Sequence, residues 1–121
     1  MDTVTYPDPR TVDLLTLYMI AVRVNTSSSD PLLRRFPIQY TPTEIVVDAD
    51  GIERHRTVGF HPPEEFIPEL LLGIGKAAVH AGRYSRALAL LDKVLLNYPS
   101  SKASSEARQL RQICLSKGAG R

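Results

Sequence analysis

Residues 40–60 leave the chain few ways to fold locally. Tyr40-Thr41-Pro42-Thr43 is a proline corner, and Glu44-Ile45-Val46-Val47-Asp48 after it is a short, β-branched strand. Asp48-Ala49-Asp50-Gly51 makes a turn, with Gly51 free to take a positive φ angle. A second strand runs from Ile52 to Phe60 and pairs with the first as a hairpin. Glu53, Arg54, His55, Arg56 and Thr57 give that strand a wet face, which places it near a sheet edge.

Before the corner, Asp8-Pro9 starts a helix that runs to about Leu17. Aspartate accepts a bond from an orphan amide at the N-cap, and proline is pre-set for the first helical position. Met19-Ile20-Ala21-Val22-Arg23-Val24 reads as a mostly buried strand, although apolar runs do not separate strand from helix by period alone. Asn25 to Ser29 is a polar loop. Asp30-Pro31 repeats the cap signature and opens a short helix that Pro37 stops.

From Pro63 onward the pattern is helical. Phe66, Ile67, Leu70, Leu71, Ile74, Ala77 and Ala78 form an apolar stripe, with Glu64 and Glu65 in the first turn where the helix dipole favours them. Pro68 is expected to bend or break this helix. Gly82 ends it, Ser85 to Asn97 forms the next, and Pro99 closes that one. The last helix spans about Lys102 to Ser116, with Ala103, Ala107, Leu110, Ile113 and Cys114 inward. Lys117 to Arg121 is expected to be a disordered tail.

Composition removes several function classes. A net charge of +2, with the arginines scattered, is too weak to argue for nucleic acid or an anionic membrane. The longest apolar stretch, Leu14 to Val24, is too short to span a bilayer and contains Thr16 and Arg23. No secretory signal pattern opens the chain, and the single cysteine precludes an intrachain disulfide. The expectation is a soluble, cytoplasmic protein with no cofactor.

No catalytic constellation is visible. Cys114 reads as an apolar filler on the inner face of the last helix. His55, His61 and His80 match no compact metal spacing. Asp48 and Asp50 lack the acidic ladder and distal glutamate of a cation loop. No Ser-His-Asp or glycine-rich phosphate signature is present.

Two family resemblances add to this reading. Residues 2 to about 72 resemble the C-terminal two-thirds of a thioredoxin-like domain. The order helix, strand, short helix, Thr41-Pro42-Thr43, hairpin, Val58-Gly59-Phe60 and a helix opening at Pro62-Pro63-Glu64-Glu65 carries the likeness. The resemblance implies that Pro42 is a cis-proline and that Thr41 pairs through its backbone with an extended peptide. The family's first strand, central strand and Cys-x-x-Cys helix start would lie before Pro42, and the chain does not contain them. By that comparison Met1 lies a few residues past the second cysteine. Thiol exchange needs a thiolate of lowered pKa and a resolving thiol, and neither is here.

Residues 69 to 101 resemble one tetratricopeptide repeat. Leu71, Ile74-Gly75, Ala78, Ala87, Leu91 and Pro99 meet the family spacing, while Leu71 and Ala78 replace usual aromatics and Val94 a usual alanine. Gly75 and Ala87 would be small where two antiparallel helices approach most closely. One repeat and a half cannot stack into a solenoid, so it should pack on the thioredoxin-like part or on another chain.

The expected architecture is therefore α/β: a truncated thioredoxin-like unit (1–72) with flanking helices, then an all-α tetratricopeptide-like segment (69–116). The expected function is non-catalytic, through a protein partner or self-association. The absent central strand would leave an apolar edge open unless its two neighbours pair directly. The rival reading is the C-terminal portion of a thiol–disulfide oxidoreductase whose cysteine pair lies upstream of Met1.

Overall fold

A computed structural model of the chain describes residues 1–118. It is a mixed α/β structure of five helices and one two-stranded antiparallel sheet. Helix α1 (Pro9–Tyr18) and helix α2 (Pro31–Arg35) precede strand β1 (Thr43–Val47) and strand β2 (Glu53–Val58). Helices α3 (Pro63–His80), α4 (Tyr84–Asn97) and α5 (Ser104–Ser116) complete it.

Local chemistry sets the first boundaries. The Asp8 carboxylate accepts from the Arg10 amide and starts α1, and Asp30 does the same for Leu32 at the head of α2. Pro9 and Pro31 each follow their cap, so the missing amide costs no helical bond. The hairpin turn is built around Asp48. Its Oδ1 accepts from the Asp50 and Ile52 amides at 2.9 and 3.0 Å, and its Oδ2 accepts from Arg54 Nε at 2.7 Å. Gly51 closes the turn at φ 79°, in the left-handed region that favours glycine.

A three-residue connection makes α3 and α4 antiparallel neighbours, and α5 packs on both. The sheet lies across the middle of α3, around Glu69, Gly73 and Lys76, and α1 packs on the same helix. One core runs through all of this, from Leu14 and Phe66 through Leu70, Leu72, Leu90 and Leu91 to Val94, Ala107 and Cys114. Helix α3 supplies more of it than any other element and is shared by the sheet side and the helical side.

Four expectations need correction. Met19–Val24 is not a strand: Met19 leaves α1 in an extended conformation, and residues 20–24 form no backbone hydrogen bond among the described residues. A strand exists through a neighbour's ladder, and none is beside it. Of the bend or break expected at Pro68, the break does not occur, since α3 is continuous through it. Ile113, expected inward, is 43% exposed while Ala107 and Cys114 are fully buried. Of the expected disordered tail, Lys117 and Gly118 form a turn after α5, and residues 119–121 lie outside the described residues. No helix among the described residues is long and apolar enough to cross a membrane.

Candidate functional site

The Thr41–Pro42 peptide bond is cis, the geometry that the resemblance assigns to it. The Pro42 carbonyl accepts from the Gly59 amide at 2.8 Å, which ties the corner to the end of β2. The Thr43 hydroxyl donates to the Tyr40 carbonyl and closes the corner on itself. Thr41 is exposed, and its amide and carbonyl have no hydrogen-bond partner among the described residues.

That free backbone continues along β1. In the ladder Thr43 faces Val58, Glu44 faces Thr57, Ile45 faces Arg56 and Val46 faces His55, with a bulge before Val47 meets Glu53. The bonds from Gly59 N to Pro42 O and from Asp48 N to Ile52 O flank the ladder. Hydrogen-bonded pairs alternate along an antiparallel ladder, so the even residues of β1 turn their amides to β2. Thr43, Ile45 and Val47 therefore present theirs outward, in line with Thr41. Among the described elements only β2 and α3 pack on β1, so no described helix or strand covers this edge.

Side chains alternate the other way. Val46 lies against α3, where a Cβ on Gly73 would come within 2.8 Å of Val46 Cγ2. Glu44 shares that face, and its Oε1 accepts from the Tyr6 hydroxyl at 2.6 Å. Tyr6 in turn packs edge-on against Phe66. Glu44 Oε2 is buried without a partner, and burial pushes this carboxyl above its usual range, against the pull of the Tyr6 bond. Burial and the Glu44 carboxylate push the Tyr6 phenol well above its ordinary value. On the opposite face, Pro37, Tyr40, Thr43, Arg56 and Val58 line a shallow depression beside the corner.

The helical residues singled out by spacing fall mostly where that spacing puts them. Leu71, Ile74, Gly75 and Ala78 of α3 and Ala87 and Leu91 of α4 are buried. Gly75 faces Leu91, with a Cβ there falling 3.0 Å from Leu91 Cδ2. Pro99 is exposed in the turn after α4. These residues meet one another and are remote in sequence from the corner; they make packing, not a pocket.

Sequence reasoning missed a polar chain joining β2, α3 and α5. His55 Nε2 lies 2.7 Å from Glu69 Oε2, Lys76 Nζ lies 3.2 Å from His55 Nδ1, and Lys76 Nζ lies 2.9 Å from Glu106 Oε2. Glu69 and Lys76 sit seven residues apart on one side of α3, a spacing that could have flagged the pair, but nothing in the sequence ties them to His55. Cys114 is fully buried; burial, and then Asp92, push its thiol up and away from reactivity. Among the described residues no three His, Cys, Asp or Glu side chains gather as a metal site. Compared with known proteins, the chain matches no family model, no curated protein and no solved structure.

Proposed function

We propose that this chain is a non-catalytic, thioredoxin-like and tetratricopeptide-like protein that works by binding other polypeptides, along the edge from Thr41 to Val47. The observation that carries the reading is the row of outward backbone groups at Thr41, Thr43, Ile45 and Val47, which hydrogen-bond to no described residue. Such an edge adds an extended segment through main-chain hydrogen bonds, and alternate side chains set its preference. The neighbouring edge of β2 suits this poorly, because Glu53, Arg54 and Arg56 guard it with charge. Cys114, the one thiol, is buried in the helical core and serves packing.

The test has two arms. Amide NMR spectra recorded while extended, β-branched peptides are added should shift at Thr41, Thr43, Ile45 and Val47 and little elsewhere. A peptide set that moves none of these amides overturns the binding reading. An insulin-reduction assay should show nothing above background, and measurable turnover by this chain overturns the non-catalytic half.

A further inference from the structure

The chain carries two strand features that no backbone hydrogen bond joins. One is the outer edge of β1. The other is residues 20–24, where Ile20 is 92% exposed and Val22 is 71% exposed with no backbone hydrogen bond among the described residues. Exposed β-branched residues on an unpaired, alternating segment are a strand without a sheet. We propose that the Met19–Val24 segment of a second copy of this chain adds to the free edge of β1, and that the exchange is reciprocal, giving a closed two-fold dimer. The proposal rests on reading the Thr41–Val47 edge as a polypeptide-docking edge, and names its occupant.

Three observations favour a second copy over an unrelated peptide. A two-fold contact brings segment to edge and edge to segment, so a single operation satisfies both features of both chains. The side-chain alternation matches. With Ile20, Val22 and Val24 on the outer sheet face beside Ile45 and Val47, Arg23 falls on the side of Glu44. Charge on that face also complements, since the Glu44 carboxylate is held there by one side-chain hydrogen bond, from Tyr6. Arg23 is held in its own chain only by an exposed pair with Asp2 and by the Tyr6 ring 6.0 Å away. An exposed pair of that kind is weakly held and readily exchanged. The rest of the segment is light: Ala21 is small, and Arg23 is its only charge.

Light scattering on the full chain across the micromolar range should show the mass rising from one chain to two. Hydrogen exchange at the Thr43, Ile45 and Val47 amides should slow roughly tenfold over the same range, as the edge gains partners. Val22→Pro removes an amide that bonds to nothing in the single chain, so the fold should persist. It should hold the mass at one chain and cancel the slowing at β1. Ile20→Lys should do the same by placing charge on the apolar face.

A single-chain mass at every concentration overturns the proposal, as does β1 protection that is already complete in the single chain. A dimer that Val22→Pro dissolves while β1 exchange never changes also overturns it, because the segment would then pair with its own copy. A persistent monomer whose Thr41–Val47 amides still shift with added peptides overturns self-association and leaves the docking edge standing. A monomer whose amides do not shift overturns both.

Discussion

His55 of β2 and Glu69 of α3 are joined by a 2.7 Å hydrogen bond, with both side chains largely shielded. Lys76 has protons to give and no lone pair, so its 3.2 Å contact makes His55 Nδ1 the acceptor. The ring proton is then on Nε2 and is donated to Glu69. This bond is the main reason that the Glu69 carboxyl lies below its ordinary value near 4.5. A carboxyl depressed in the folded state stabilises above its unfolded value and loses that contribution as pH falls through the folded one. Glu69→Gln should therefore cost about 1 kcal/mol at pH 7, as a weakened charge-assisted bond. Urea unfolding should show the gap between wild type and variant closing as the pH is taken well below 4.5.

Tyr6 gives Glu44 its one hydrogen bond outside the ladder, since Oε2 has no partner. Tyr6→Phe leaves both carboxylate oxygens unsatisfied and should destabilise by about 1–3 kcal/mol at pH 7. The Tyr6 bond lowers the Glu44 carboxyl, so losing it raises that group further. The ionised form bears the cost, and the loss should shrink as pH falls and the carboxyl protonates. Urea unfolding of the variant at neutral and acidic pH checks both the size and the sign.

Two glycines of α3 should respond differently to a methyl group. At Gly73 a Cβ would lie 2.8 Å from Val46 Cγ2 and 3.1 Å from His55 Cβ, so the hairpin must move off the helix. At Gly75 the nearest atom is the end of the Leu91 side chain at 3.0 Å, and the next is 3.4 Å away. Alanine gains about 0.8–1.0 kcal/mol of helix propensity over glycine. Gly73→Ala should still be destabilised by about 1–3 kcal/mol from overpacking. Gly75→Ala should be within about 1 kcal/mol of wild type, because a rotatable side chain can give way. Chemical denaturation that ranks the two in the reverse order would be inconsistent with this packing.

Leu91 and Leu96 share α4, but Leu91 is fully buried and Leu96 is 79% exposed. Leu91→Ala should cost about 2–5 kcal/mol through lost burial and the cavity left behind. Leu96→Ala should change stability by less than about 0.5 kcal/mol. Thermal melts of the two variants give the comparison directly.

The helices and their ends were readable from local chemistry. Asp8-Pro9 and Asp30-Pro31 each place a carboxylate and a ring where the first turn needs them, and both cap as expected. The apolar stripe on α3 and the small residues Gly75 and Ala87 likewise follow from spacing. Gly73 was overlooked because its smallness serves a strand crossing α3, and a helical pattern says nothing about what crosses it. Met19–Val24 has the composition of a strand, but composition does not supply the neighbour. The corner at Thr41–Pro42 was legible as a corner; the free edge running on from it depends on which elements pack beside β1, and that is a property of the assembled fold.

The core that runs unbroken from α1 through α3 to α5 turns Cys114 into a gauge. It is the only thiol in the chain, is wholly enclosed, and lies in α5, which packs on α3 and α4 and not on β1. A labelling reagent reaches it only when the structure opens. Whatever occupies the β1 edge in the closed state alone makes that opening rarer, the more so the tighter it binds. The rate at which native protein takes up a thiol reagent can therefore measure, without modifying the edge, how firmly that edge is held.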